Sequence, residues 1–175
     1  MVAAVILAAG ASTRFGAPKQ RLLLGPVLER VRASSVDDVV VVTGAHELET
    51  DARVVRCDDW HRGPGVSLRC GLAALDRSVD AAVVVLADGP DLDPQAIDRV
   101  VAAWLETGAD VIAASYGGSR LHPVLIARRA WGRIPDDGAR GLEARLVPCD
   151  DLDPPGDVDF ADELPGRLRL TRAEP

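Results

Sequence analysis

A short stretch near the N terminus combines small residues with two positive charges. Gly10, Ser12 and Gly16 leave little side chain in the way, so backbone N–H groups could close around an anion. Arg14 and Lys19 place positive charge beside the same residues. The apolar run before them is typical of a buried strand. The stretch therefore predicts a phosphate-binding loop at the end of a strand.

Two well-known glycine loops do not fit this stretch. A P-loop has its lysine directly after the second glycine, but Lys19 comes three positions after Gly16. The dinucleotide motif G-x-G-x-x-G needs glycine where Ser12 stands. Lys19 is also the only lysine, because the other 19 of the 20 basic residues are arginines. Its position could be chance, but an ammonium point charge beside a glycine loop favours phosphate binding.

Two aspartates could hold a divalent cation near such a phosphate. Asp88 follows the apolar run 81–87 and precedes a Gly-Pro turn. Ligands of open parallel sheets bind beyond the carboxyl ends of the strands, and carboxylate oxygens suit Mg²⁺. The alternative for Asp88 is an Asx turn or a helix cap. The acidic cluster around Asp159 has an alternative as a solvated surface.

The elements that must position these residues alternate along the chain. Apolar runs predict strands at 2–7, 38–44, 80–87 and 111–115, and the segment 53–56 is a candidate for a further short strand. The clearest helix is predicted over 93–105, with Asp93 as its N-cap and Pro94 at its first position. Ser67 is a plausible N-cap of another helix, and 27–33 is a short helical candidate. This alternation predicts an α/β fold.

Length and composition bound the remaining possibilities. With 175 residues, 47% of them hydrophobic, the chain is expected to form a single domain, 1–175. The net charge of −7 argues against nucleic acid as a partner, since duplex binding needs a basic face. No long apolar stretch or charged leader is present, so no membrane partner is expected and a cytoplasmic location is predicted. Cys57, Cys70 and Cys149 form no C-x-x-C pair, which favours buried free thiols over a disulfide framework or zinc site.

The segment L-A-A-G-x-S-x-R-x-G-x-x-K, at 7–19, resembles the opening of the MobA-like nucleotidyltransferases. That family includes the molybdenum cofactor cytidylyltransferases and guanylyltransferases. Further segments that resemble its motifs follow in the expected order, at 63–72, 86–90, 117–124, 136–140 and 157–164. The resemblance runs from about residue 3 to residue 164 and leaves 165–175 as a C-terminal tail.

The resemblance implies roles for the matched residues. The nucleotide-binding candidates are Leu7, Ala8, Ala9, Gly10, Ser12, Arg14, Lys19, Gly63, Gly65, Ser67 and Asp88. The catalytic candidates among them are Arg14, Lys19 and Asp88, and the implied Mg²⁺ ligands are Asp88 and Asp159. A glycine turn followed by a capped helix is the alternative for Gly63, Gly65 and Ser67.

The acceptor-binding candidates are His122, Asp136 and Arg140, also by resemblance. Leu121 stands where the family usually has glycine in this motif, and His122 could equally be a histidine anchored to backbone before a fixed proline. Asp136 and Arg140 belong to a motif that lacks its first glycine, so they are weaker candidates.

The implied fold is a Rossmann-like three-layer α/β/α domain of the nucleotide-diphospho-sugar transferase type, with a mixed, mostly parallel sheet. The implied function is Mg²⁺-dependent transfer of a nucleotide from an NTP to a phosphorylated acceptor, with release of pyrophosphate. CTP and a molybdopterin phosphate are favoured. GTP, a sugar or alcohol phosphate acceptor, and an NTP-binding protein without catalysis are the alternatives. The protein is expected to be a monomer or weak homodimer.

Overall fold

The computed structural model describes residues 1–169, in which seven strands and four α-helices form one layered α/β unit. The strands are β1 (Val2–Ala8), β2 (Asp38–Thr43), β3 (Arg53–Arg56), β4 (Ala81–Leu86), β5 (Val111–Tyr116), β6 (Ser119–Ala127) and β7 (Arg145–Pro148). The helices are α1 (Gln20–Arg32), α2 (Pro64–Ala73), α3 (Pro94–Thr107) and α4 (Gly166–Arg169). Of the predicted C-terminal tail, residues 170–175 lie outside the described part.

The sheet has the order β3-β2-β1-β4-β6-β5-β7. All neighbouring strands are parallel except β6, which runs antiparallel to both β4 and β5. Because β1 and β4 are parallel neighbours, with Leu7 opposite Leu86, their carboxyl ends lie side by side. The Ala87 N–H donates to Leu7 O at 3.0 Å just beyond them. The sheet therefore brings the loop after β1 next to Asp88.

Helices cover both faces of the sheet. One buried cluster packs α1 and α3 on the sheet through residues such as Val27 and Val100, and a second packs α2 through Leu68 and Leu72. Helix α2 lies close to the strands, since a Cβ at Gly71 would come within 2.6 Å of valine methyl groups from β1 and β2. The predicted three-layer arrangement with a mostly parallel sheet is confirmed.

Helix boundaries differ from the sequence-based prediction at two places. Helix α1 begins at Gln20 rather than near residue 27 and continues through Pro26, because its apolar residues pack on the sheet strongly enough to tolerate an internal proline. Ser67 is not an N-cap, since α2 begins at Pro64 and Ser67 is buried inside it. Proline is favoured at a first helical position, where the missing N–H has no partner to lose.

Strand β6 was not predicted. His122 and Pro123 interrupt its pattern, and they lie where the pairing with β5 shifts, between Leu121 opposite Ala114 and Val124 opposite Ala113. A bulge is one of the few places in a sheet that accept proline. The local sequence therefore hides a strand that pairs on both sides.

The prediction that all three cysteines are free thiols is wrong. Cys57, just after β3, forms a disulfide with Cys70 in α2, with their Cα atoms 5.9 Å apart. The turn between β3 and α2 brings back together two residues that are 13 positions apart in sequence. Cys149 is free and buried.

No helix within residues 1–169 is both long and apolar enough to cross a membrane.

Candidate active site

A cleft of about 280 Å³ opens at the carboxyl ends of β1 and β4. It is lined by Leu7, Gly10, Ala11, Ser12, Thr13, Arg14, Phe15, Lys19, Gln20, Ala87, Asp88 and Asp159. The loop supplies its basic residues, β4 leads into Asp88, and the segment before α4 supplies Asp159. The arrangement combines a glycine loop, two cationic groups and two carboxylates.

Lys19 lies between the two carboxylates of this cleft. Its Nζ is 3.0 Å from Asp88 Oδ2 and 3.3 Å from Asp159 Oδ1, and it donates to Val158 O at 2.6 Å. The residue is only 8% exposed. A buried ammonium needs this set of acceptors because desolvation of an unpaired charge costs several kcal/mol, on the order of 3–5 when a partner is removed.

Arg14 and Asp159 form the outer ion pair of the cleft. Arg14 Nη1 lies 2.5 Å from Asp159 Oδ2, and the Arg14 side chain is 64% exposed, against 23% for Asp159. An exposed guanidinium can move to another anion at little cost, since surface ion pairs contribute only about 0–1 kcal/mol. Arg14 could therefore pair with a ligand anion in place of Asp159.

The two aspartates fit a divalent cation. Asp88 Oδ1 is buried and has no hydrogen-bond partner within residues 1–169, although such oxygens normally have one. Partial burial is the main cause that raises the pKa of Asp157, and the negative charges of Asp88 and Asp159 add to it. The described residues contain no cluster of three or more His, Cys, Asp or Glu arranged for a metal. Two carboxylates remain enough for Mg²⁺, which usually takes one or two together with water and phosphate oxygens.

The carbonyl groups of the glycine loop are tied back to the protein. Gln20 donates from Nε2 to Gly10 O at 2.9 Å and accepts from Ser12 Oγ at 2.7 Å. His46 Nε2 lies 3.0 Å from Ala11 O. Ser12 itself has φ of 54°, a left-handed conformation uncommon outside glycine. Since these carbonyl oxygens have partners, the loop conformation is fixed by the protein, and its backbone N–H groups could bind an anion.

A small apolar cluster joins the loop to the acidic segment. Phe15, Leu23, Val158 and Leu164 pack together apart from the main core. Phe15 follows Arg14 and Val158 precedes Asp159, so the cluster fixes the backbone of both charged residues. Sequence reasoning did not identify Gln20, Phe15 or Val158 as site residues. Gln20 could have been recognised from the sequence, because it is a polar residue directly after Lys19 in the loop motif.

His122 does not line the cleft. Its ring is next to Gly89, and both ring nitrogens are buried without a hydrogen-bond partner in the described part of the chain. The structure therefore shows no backbone anchor for the imidazole. Burial lowers the pKa of His122 to about 4, against the opposing effect of the Asp88 charge, so the ring is neutral at pH 7.

Gly63, Gly65 and Ser67 do not line the cleft. Gly65 N–H donates to Asp136 O at 2.9 Å, and a Cβ at Gly65 would come within 1.8 Å of Pro135 O. A Cβ at Gly63 would likewise come within 2.3 Å of Asp136 O. These two glycines therefore allow close backbone packing, while Ser67 is buried in α2.

Asp136 and Arg140 also lie outside the cleft lining. Asp136 pairs with Arg69 and with Arg62, and hydrogen bonding from the Arg69 guanidinium is the main cause that lowers its pKa. Arg140 is exposed, and its carbonyl accepts from Arg120 at 3.3 Å. Ala8 and Ala9 are buried and do not line the cleft, and Ala9 O accepts from Ala45 N–H at 3.0 Å.

Sequence comparison relates the chain to NTP transferases. The family model described as the MobA-like NTP transferase domain matches residues 4–147. The bifunctional protein GlmU of Sorangium cellulosum (strain So ce56) is 28% identical over 130 residues, which cover 63% of this chain and 28% of that protein. The chain thus spans little more than a quarter of that relative's length.

Solved structures resemble the whole chain. The rv0371c homolog from Mycobacterium sp. strain JC1 is 27% identical with a TM-score of 0.79, covering 99% of this chain and 98% of that one. Rv0371c from Mycobacterium tuberculosis H37Rv is 26% identical with a TM-score of 0.78, covering 98% and 97%. A structure of Rv0371C in complex with manganese is similar at 24% identity, with a TM-score of 0.74 and 99% of both chains covered.

Proposed function

The chain belongs to the MobA-like NTP transferase domain family. We propose that it catalyses one specific nucleotidyl transfer reaction. A nucleoside monophosphate moves from an NTP, with CTP favoured, to a phosphorylated acceptor such as molybdopterin, and pyrophosphate leaves. The observation that carries the proposal is the convergence of two cationic side chains and two carboxylates in one cleft, namely Arg14, Lys19, Asp88 and Asp159.

The barrier to this reaction is mainly charge and alignment. An anionic acceptor must approach the α-phosphorus of an already anionic triphosphate, in line with the leaving pyrophosphate. The glycine loop would bind the triphosphate through backbone N–H groups, with Arg14 at the mouth of the cleft. Lys19 would stabilise the charge that develops on the leaving group.

Asp88 and Asp159 would hold a divalent cation, proposed to be Mg²⁺. When bound, the ion neutralises charge on the triphosphate. The unpartnered Asp88 Oδ1 supports this assignment, as does the similar fold of a mycobacterial protein in complex with manganese.

The acceptor needs no protein base, because a phosphomonoester with a second pKa of about 6 is largely dianionic at neutral pH. The neutral His122 beside Gly89 is the acceptor-side candidate that lies nearest to Asp88. Asp136 and Arg140 are weaker candidates, because Asp136 is already paired with Arg62 and Arg69 and the motif to which both belong lacks its first glycine.

The nucleotide base is proposed to lie toward Gly63, Gly65 and Ser67. Whether the base is cytosine or guanine depends on contacts in that region, so a guanylyltransferase and a sugar or alcohol phosphate acceptor are the alternatives in the same class. An NTP-binding protein without catalysis is disfavoured, because α1 forms over 13 residues directly after Lys19 and the charged residues meet in one cleft.

Pyrophosphate release tests the proposal. CTP, GTP, ATP and UTP are each supplied with Mg²⁺ and either molybdopterin or a simple phosphomonoester. We expect release with CTP and molybdopterin, abolished by chelation of the metal. Tight NTP binding with no turnover across the acceptor panel would overturn the proposed reaction.

A further inference from the structure

The four carboxylate oxygens of Asp88 and Asp159 have unequal partners. Lys19 pairs with Asp88 Oδ2 and with Asp159 Oδ1, and Arg14 pairs with Asp159 Oδ2. Only Asp88 Oδ1 has no partner among the described residues. A divalent cation that binds both aspartates would therefore share an Asp159 oxygen with the positive charge of Lys19 or of Arg14, and repulsion between like charges opposes that arrangement.

Lys19 cannot bind a phosphate from its present position. An ammonium has three N–H donors, and the three acceptors around Nζ are two carboxylates and the Val158 carbonyl. All donors are thus directed into the acidic side of the cleft. Any contact between this ammonium and an NTP requires the side chain to leave at least one of these acceptors.

Both requirements are met by a single exchange. We propose that Lys19 is an internal counter-ion that a divalent cation displaces, so that metal binding releases the ammonium toward the triphosphate. The proposal rests on the proposed function for the site of metal binding, and it adds a coupling between metal and nucleotide. The metal takes over charge compensation of Asp88 and Asp159, and the flexible four-carbon stem of Lys19 allows the ammonium to move.

The exchange can be observed directly because the chain contains a single lysine. Lys19 is the only lysine in the chain, so protein prepared with ¹³C,¹⁵N-lysine and a lysine-free tag gives one side-chain signal by NMR. We expect Mg²⁺, added without nucleotide, to shift the Nζ signal and to speed exchange of its protons with water. The change should saturate together with Mg²⁺ binding measured by calorimetry, and NaCl at equal ionic strength should not produce it. Mg²⁺ binding with an unmoved signal, or no Mg²⁺ binding at all, would overturn the inference.

A second measurement separates displacement from general electrostatics. Mn²⁺ binding by electron paramagnetic resonance is compared in the wild type, Lys19→Met and Arg14→Met. Each variant removes one positive charge beside Asp159, but only Lys19→Met removes the group that lies between both carboxylates. We expect Lys19→Met to bind Mn²⁺ about 10-fold tighter or more, and Arg14→Met about 2- to 3-fold tighter. Equal gains, or no gain for Lys19→Met, would contradict displacement.

The outcome is independent of the proposed reaction. Pyrophosphate release by the unaltered protein, together with an Nζ signal that Mg²⁺ leaves unchanged, would remove the inference and leave the reaction in place. A shifted signal without turnover on any acceptor would do the opposite.

Discussion

Gly89 lies directly against the imidazole ring of His122. A Cβ at position 89 would be 2.7 Å from both His122 Cε1 and Nε2, and 3.1 Å from Pro155 O. The contact joins the residue after Asp88 to the bulge of β6. Position 89 therefore accepts no side chain unless the imidazole moves.

This contact predicts a loss of stability for Gly89→Ala. The added methyl group overlaps a buried ring, and overpacking of this kind costs about 1–3 kcal/mol. Urea denaturation measures the change, and the double variant Gly89→Ala/His122→Ala should recover most of the loss relative to His122→Ala alone. A Gly89→Ala protein as stable as the wild type would show that the ring moves freely.

His122 also predicts a pH dependence of stability. The pKa of His122 is about 4 in the folded chain and about 6.5 in the unfolded chain. Between these pH values the unfolded chain binds a proton at His122 and the folded chain does not. The free energy of unfolding therefore keeps its full value above about pH 6.5 and decreases as the pH falls toward 4, by up to about 3 kcal/mol. Asp88 is the charged group that opposes the shift.

The measurement is the difference in unfolding free energy between the wild type and His122→Asn at pH 7 and pH 4.5. Because asparagine does not titrate, the variant should gain relative to the wild type as the pH falls. A difference that stays constant with pH would contradict the lowered pKa.

Asp88→Ala should reduce turnover about 100-fold or more, because it removes a proposed metal ligand together with its unpartnered oxygen. Pyrophosphate release at saturating NTP measures the effect. Asp153→Ala, which alters an exposed aspartate away from the cleft lining, is the matched control. Full activity of folded Asp88→Ala protein would be inconsistent with the metal assignment.

Lys19→Met should raise the KM for NTP and lower kcat, each about 10-fold, since the ammonium is proposed to stabilise both the bound triphosphate and the leaving pyrophosphate. Steady-state kinetics separate the two parameters. Lys19→Arg keeps the charge but not the compact ammonium and should recover only part of the activity. Unchanged KM and kcat in Lys19→Met would exclude phosphate binding by this residue.

Gln20→Ala tests the order of the glycine loop. Its side chain holds both Gly10 O and Ser12 Oγ, so its loss should raise the KM for NTP about 5- to 10-fold, equivalent to about 1 kcal/mol. The kcat should change less, because Gln20 is expected to act through the loop. The exposed neighbour substitution Arg21→Ala is the control. A fall in kcat with an unchanged KM would indicate a role in the chemical step instead.

The regular elements could be read from the sequence where local pattern and tertiary environment agree. The β1, β4 and β5 runs are apolar because both faces are covered, and Asp93 caps α3 by accepting from Gln95 N–H at 2.9 Å. Strand β6 and the start of α1 were missed because proline opposed both patterns and packing outweighed it. The Cys57–Cys70 bond was missed because their proximity depends on a turn that no spacing rule describes.

The sequence by itself determined which chemistry was available: a glycine loop, a single lysine, and aspartates at Asp88 and Asp159. Only the tertiary structure decided that Lys19 pairs with both carboxylates, across separations of 69 and 140 residues. Local propensity acts over a few residues, whereas charges interact through space once β1 and β4 lie side by side and the acidic segment closes over them. The fold therefore pairs Lys19, which was predicted to bind phosphate, with Asp88 and Asp159, which were predicted to bind the metal.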